Sequence, residues 1–399
     1  MLNVWTGSRP WPFGLDVAAD GIRMLQFAPA GNKIAVCAGA QWKSHPHLES
    51  DEKNIDAAMV AVHEMLDEGG FLGRQTVTSI PASDIRLETM RVPEAPQEEL
   101  RISLLQHAHE LFDIDPSRYH LSVVRSGFVL NAQPPCHEWI LMAMPHEICR
   151  RRIEWIEAMD LSVFALQPEP LSLFESIRRQ RRRSSDRRSA HAAVHLSQAS
   201  TLVVIAHAGQ ILLVKNIGFG GDRLTAAAAD NLGLEFEEAD LLRRQIRNDF
   251  AHRAHQAHMT SLNASEFGPS NTILWTVHDA MREEVEALIS EIGLCLRYCS
   301  NTFGTPLIEH ITLAGDGAWD PSIIHLLKEH LGVRCEDASP LRAMDVTECP
   351  LFGDRRNSMA DWTLCAGLAG HMDSPLASTV SYTGQPTDSI LLNMEGSLA

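Results

Sequence analysis

The residues of this chain whose types and spacing could do chemistry lie mostly in short turns. Asp16 ends an apolar run just ahead of Ala18, Ala19, Asp20 and Gly21. A carboxylate there reads equally as a turn-capping group and as a contact to a metal-bound water. Gly220 and Gly221 open a helical pattern, and Gly315 and Gly317 flank Asp316 in a turn that ends at Ala318. Glycine-rich turns let a ligand approach the backbone and can offer N–H groups to phosphate. His252, His255 and His258 form an HxxHxxH string whose neighbours share a helix face. Two of them could bind a metal, but no carboxylate or Cys completes the set, so a solvated polar face is expected. Cys295 and Cys299 are four apart, no CxxC pair occurs, and reduced thiols are expected throughout. No Ser-His-Asp set, Cys-His set or Walker-type loop is present, so no catalytic or metal-ligating residue is assigned.

These turns must be held by the elements around them. The chain reads as the same three-stranded meander twice. The first copy runs over residues 13–18, 22–27 and 34–38, with turns at Ala19-Asp20-Gly21 and Ala30-Gly31-Asn32. The second runs over residues 192–196, 201–206 and 211–217, with turns at residues 197–200 and at Ala208-Gly209-Gln210. The two hairpin turns are offset by 178 residues. Helical patterns follow each meander, at residues 54–68 in the first half and 224–232, 237–249 and 278–298 in the second. A strand at residues 309–313, the glycine turn and a helix at residues 321–330 follow, with Pro321 suited to a first turn. Residues 82–171 read as an α+β insert. The last residues, 371–399, are rich in Ser, Thr, Gly and Pro and read as a disordered tail with one apolar knot, Ile390-Leu391-Leu392.

The charge is segregated. The chain of 399 residues has 51 acids against 34 Lys and Arg, and a formal charge of -17. That balance argues against nucleic acid as a partner. Seven Arg crowd one stretch, Arg178, Arg179, Arg181, Arg182, Arg183, Arg187 and Arg188, just before the second meander. Its position favours a solvated helix end and linker over a lipid or nucleic-acid contact. No stretch of about 18 apolar residues exists and no signal peptide is read, so a soluble, cytoplasmic protein is expected. Trp5 and Trp11 precede the first strand, as interface or packing residues.

Several strings taken in order carry a resemblance. Gly14-Leu15-Asp16-Val17-Ala18-Ala19-Asp20-Gly21-Ile22-Arg23 resembles the first phosphate loop of the type IV pilus assembly protein PilM family. Phe219-Gly220-Gly221-Asp222-Arg223-Leu224-Thr225 is similar to its Gly-Gly-x-x-Leu-Thr helix. Leu313-Ala314-Gly315-Asp316-Gly317-Ala318 resembles its adenosine loop, and Ala366-Gly367-Leu368-Ala369 its closing motif. FtsA and the cytoplasmic part of GspL share the plan. The resemblance spans roughly residues 13–370. It implies an α/β, duplicated actin-like (ribonuclease H-like) ATPase fold whose halves clamp ATP and magnesium. The nucleotide-binding positions it implies are Asp16, Ala18, Ala19, Arg23, Gly220, Gly221, Gly315, Gly317 and Ala318.

The departures point the other way. The family's first loop carries Gly, two hydroxyl residues and a Lys where this chain has Ala18, Ala19, Asp20 and Arg23. The second loop's Asp-x-Gly reads His195-Leu196-Ser197, and the middle glycine of the adenosine loop is Asp316. Asp20 and Asp316 are expected to repel a polyanion. The expectation is therefore a pseudo-ATPase, a degenerate nucleotide cleft on a scaffold of pilus or secretion-filament assembly. By resemblance the partner is the N-terminal peptide of a PilN-like inner-membrane protein, in a groove among Thr78 to Val92 and the first strands. Contact with the membrane would be indirect, through that partner, and self-association is left open. The alternatives are an active actin-like ATPase and an FtsA-type polymerising protein; the latter is disfavoured by a tail without Lys or Arg after His371. Docking of the tail knot in its own groove is left open by the sequence. The expected organisation is an N-terminal extension (1–12) and a first half (13–190) holding the insert (82–171) and the Arg-rich junction (176–190). A second half (191–370), with a helical subdomain (226–306), and the tail (371–399) complete it.

Overall fold

Alternating apolar residues on either side of tight turns make each half begin as an antiparallel meander. In the computed structural model, β1 (Phe13–Ala18) pairs with β2 (Gly21–Ala30) around a two-residue turn, with Ala18 opposite Gly21. β2 then pairs with β3 (Lys33–Lys43). The second meander is β9 (His191–Leu196), β10 (Thr201–His207) and β11 (Gln210–Ile217). The structure describes residues 10–31, 33–43, 52–112, 118–181, 189–256, 272–342, 344–347, 349–352, 359–374 and 390–393. Each meander gains two parallel strands beside its first strand. β4 (Gln75–Ile80) and β8 (Ser162–Pro168) give the order β3-β2-β1-β4-β8. β12 (His310–Ala314) and β13 (Arg334–Asp337) give β11-β10-β9-β12-β13. The strand orders are identical position by position, so the duplication covers the whole sheet and not only the meander.

The chain forms two compact units. The first comprises residues 1–180, 340–354 and 362–399, and the second comprises 181–339 and 355–361. Within the first, α1 (Glu52–Glu68) buries Ala58, Val62, Met65 and Leu66 against Phe13, Leu15, Ile22 and Met24. The same core takes Ile156 from α3 (His146–Glu157), together with Met159 and Leu161. Residues 146–171 thus belong to the first half and not to the insert, because β8 hydrogen-bonds to β4. The insert proper holds β5 (Arg86–Pro93), α2 (Gln97–Phe112), β6 (Tyr119–Phe128) and β7 (Cys136–Pro145). Leu100, Leu104, Ala108 and Phe112 of α2 pack there on Met90, Val123, Trp139 and Leu141. Each large apolar side chain buried this way contributes about 1.5–3 kcal/mol.

The closing motif also lies in the first unit and not in the second half. It forms α9 (Thr363–Ala369), which crosses β1 and α4 (Glu169–Gln180). The crossing is close enough to require glycine. A Cβ on Gly14 would stand 2.5 Å from the Ala369 nitrogen, and one on Gly367 would stand 1.9 Å from the Ser172 carbonyl oxygen. Two arginines of the Arg run are fixed here. Arg179 is buried, and it donates to the carbonyls of Ala366 (3.3 Å) and Gly370 (2.5 Å) at the end of α9. Arg178 bonds Glu175 at 2.8 Å. The run is therefore not a purely solvated helix end; its last members, residues 182–188, lie outside the described residues. Trp11 is held to the first sheet, its N–H donating to the Phe27 carbonyl at 3.0 Å. Trp5 lies outside the described residues.

In the second unit, α5 (Gly221–Leu232), α6 (Phe236–Gln256) and α7 (Thr272–Phe303) form the helical part, followed by α8 (Pro321–Leu331). Met281, Val285, Leu288 and Ile292 bury one stripe of α7. Pro321 occupies the first turn of α8, capped by the Asp320 side chain. All eight cysteines are free. Among the described residues no helix is long and apolar enough to cross a membrane, and no cluster of His, Cys, Asp or Glu could hold a metal. The side chains of His255 and His258 are outside the described residues. The tail expected to be disordered contains a strand, β14 (Ile390–Asn393), paired with β6.

Candidate functional site

The turn after β1 is built by cross-strand register. Asp16 and Arg23 face each other on β1 and β2, and both are buried. The Arg23 guanidinium lies 3.9 Å from the Asp16 carboxylate and hydrogen-bonds the Asp20 carboxylate through both terminal nitrogens. Arg23 and Asp20, both named from the sequence for their relation to a phosphate, pair with each other. A cation that is hydrogen-bonded and paired in a low-dielectric setting is strongly held. Ala18 and Ala19 complete the turn without a hydroxyl.

Below this turn lies a carboxylate that sequence reasoning missed. Glu169 opens α4, and its carboxylate accepts the Ala82 N–H at 2.6 Å. Burial pushes its pKa up to about 7, and the charges of Asp16 and Asp84 add to that rise. The Ala82 bond and Arg152 pull the other way. An acid in the first turn of a helix preceded by Pro168 was a readable start signal. It was passed over because residues up to 171 were assigned to the insert.

In the second unit, the turn after β9 closes on itself. The Ser197 hydroxyl donates to the Ser200 carbonyl at 2.8 Å and accepts the Ser200 N–H at 3.2 Å. The same turn consumes the first N–H groups of α5. Gly221 N–H donates to the Ser197 carbonyl and Asp222 N–H to the Gln198 carbonyl, each at 2.9 Å. A Cβ on Gly220 would stand 2.3 Å from the Gln198 carbonyl oxygen. Gly220 is therefore required by the approach of one turn to another. The glycine turn at Gly315 behaves alike. Gly315 has φ +83, which favours glycine, and its Cβ would meet the Leu196 carbonyl oxygen at 2.4 Å. A Cβ on Gly317 would stand 2.7 Å from the Leu196 Cβ. Ala318 is fully buried in the short 3-10 turn that follows. The structure thus brings Gly220, Gly221, Gly315, Gly317 and Ala318 around the end of β9, and it brings Asp16, Ala18, Ala19 and Arg23 around the end of β1.

Two arginines from α6 lock the second group, and no spacing in the sequence announced them. Arg243 donates to the Gly221 carbonyl (2.6 Å), the Thr225 hydroxyl (2.7 Å) and the Asp320 carboxylate (2.9 Å). The other Asp320 oxygen accepts the Ser322 N–H, so one buried carboxylate joins α6 to the start of α8. Arg247 lies 3.6 Å from Asp316. Asp316 therefore turns toward α6, where its charge is paired.

No protein-family profile matches the sequence, and no curated protein matches it. Solved structures do. A chain of the PilM-PilN type IV pilus biogenesis complex is 19% identical with a TM-score of 0.69, over 90% of this chain and 97% of that one. The ethanolamine utilization protein EutJ from Carboxydothermus hydrogenoformans is 12% identical with a TM-score of 0.49, over 91% and 89%. The cytoplasmic domain of EpsL, an inner membrane component of the type II secretion system of Vibrio cholerae, is 15% identical with a TM-score of 0.33, over 57% and 78%. The fold is the duplicated actin-like fold, with an α+β insert in its first half.

Proposed function

We propose that this chain is a scaffold of a type IV pilus or related filament assembly platform. In this reading it docks the N-terminal peptide of an inner-membrane partner similar to PilN. It is cytoplasmic and reaches the membrane only through that partner. The observation that carries the reading is the likeness to a chain of the PilM-PilN complex along nearly all of both chains. Fold likeness alone does not fix an activity, so the state of the turns supplies the second half of the reading.

The turns support a scaffold without nucleotide turnover. Magnesium ATP requires free cations or N–H groups for the phosphates and a carboxylate to orient metal-bound water. Arg23 is held by Asp16 and Asp20. The first N–H groups of α5 are spent on the turn after β9. That turn offers His195, Leu196 and Ser197 in place of a carboxylate. These residues do not fit a magnesium nucleotide.

Two measurements test the proposal. Labelled N-terminal peptides of membrane proteins encoded beside this chain should bind it saturably in fluorescence anisotropy; failure of all of them removes the platform reading. A fluorescent ATP analogue with magnesium should show no saturable binding below about 1 mM. Micromolar affinity with measurable turnover would overturn the pseudo-ATPase reading.

A further inference from the structure

The insert sheet has the order β14-β6-β7-β5, so its two edges are treated differently. An edge strand exposes unpaired N–H and C=O groups, and proteins guard such edges with charges and Pro. β5 is guarded in this way. Arg86, Glu88 and Arg91 are exposed along it, and it ends at Pro93. β6 is not guarded. The stretch Leu121, Ser122, Val123 and Val124 carries no charge, and Ser122 to Val124 are buried. This stretch takes β14 in parallel register, Ile390 opposite Leu121 through Asn393 opposite Val124. The chain is pinned on both sides of the intervening residues 375–389. Before them, the Asp373 carbonyl accepts from Arg178 at 3.3 Å and its carboxylate lies 3.7 Å from Arg179. After them comes the β14 ladder.

We propose that β14 is a tethered cap on a strand-accepting edge. It holds the β6 edge in place of an extended, aliphatic peptide from another protein chain, and docking of that peptide displaces it. Strand addition to a sheet edge draws affinity from main-chain hydrogen bonds and specificity from alternate side chains. β14 displays what the edge takes: an uncharged Ile-Leu-Leu-Asn segment running parallel to β6. The tether makes the cap effective, since a short linker holds its end at an effective concentration on the order of millimolar. A ladder only four residues long keeps it displaceable. This inference deepens the platform reading and rests on it for the partner's class. It also moves the expected groove. The span Thr78 to Val92 contains the guarded β5, and the accepting edge lies on the opposite side of the sheet at β6.

The test uses the full chain and its L391P/L392P variant. Two adjacent prolines remove the N–H groups of both central β14 residues. Without any partner present, hydrogen exchange at Leu121 to Val124 should quicken about tenfold or more in the variant. Unchanged exchange overturns the cap. A synthetic peptide of residues 386–397 should restore the protection when added to the variant and should leave the wild-type chain unaffected. Equal binding of that peptide to both overturns the cap. A partner peptide found by the anisotropy assay should bind the variant about tenfold more tightly than wild type. If it binds both equally, the platform reading stands and the cap falls. If no partner peptide binds either chain while exchange behaves as expected, the cap stands and the platform reading falls. Light scattering that shows a dimer dissolved by the prolines would assign the ladder to a second copy and overturn the tethered cap.

Discussion

The turns after β1 and after β9 occupy equivalent places in two sheets of one strand order, yet opposite means hold them shut. The first is closed by charge, with Arg23 between Asp16 and Asp20. The second is closed by neutral hydrogen bonds, Ser197 to Ser200 and the α5 N–H groups to two carbonyls. Duplication preserved the path of the backbone, because the sheets demand it. It did not preserve the side chains, because any set that satisfies the turn's polar groups keeps the sheet intact. In the first turn an arginine side chain is engaged, and in the second the Gly221 and Asp222 N–H groups are.

The largest effect is expected where one buried cation serves the second turn's neighbourhood. Arg243→Met strips the Gly221 carbonyl, Thr225 and Asp320 at once and should lower stability by about 3–5 kcal/mol in urea unfolding. A loss below about 1 kcal/mol would show that α5 holds its place without α6. Next, Arg23→Met leaves Asp16 and Asp20 without their cation and should cost about 2–3 kcal/mol at pH 7. The cost should shrink when Asp16 and Asp20 are both replaced by Asn; an undiminished cost would mean that packing, not charge, closes the first turn.

A third prediction concerns pH. The folded pKa of Glu169, about 7, lies above its ordinary value of 4.5. Its neutral form is therefore favoured by folding. The associated stability is fully present below about pH 4.5 and is lost as pH rises through 7. Glu169→Gln keeps an acceptor for Ala82 and should remove this fall, gaining about 3 kcal/mol at pH 8 relative to wild type. Parallel pH profiles for the two proteins would refute the shift. The smallest effect is expected at Ser197→Ala, about 1 kcal/mol, with no pH dependence. A cost as large as that of Arg23→Met would erase the distinction between the two turns.

The two meanders were legible because turn residues punctuate alternating strands. β4 and β8 were harder, since short parallel strands carry no period distinct from buried helix, and missing β8 extended the insert too far. The placement of α9 was unreadable for another reason. Its glycines announce close packing but not the partner, and Gly367 meets Ser172 from a distant part of the sequence. Within the candidate site, the glycine turns were legible, but the neighbours they meet were not. They admit neighbouring turns, as Gly220 admits Gln198. Asp20 lies three residues from Arg23 across a two-residue turn, so their pairing was within reach of the sequence. Arg243 with Asp320 was not, because only the helix packing brings them together.

The return of α9 to β1 has a consequence for synthesis. Gly14 leaves the ribosome 351 residues ahead of Cys365, whose thiol stands 3.5 Å from the Gly14 carbonyl. At about 5–20 residues per second, roughly 20–70 s separate the two. Late in that interval the first sheet is fully translated but lacks the helix that covers it, while every segment of the second unit up to β13 has emerged. The growing chain therefore completes its later unit before its earlier one.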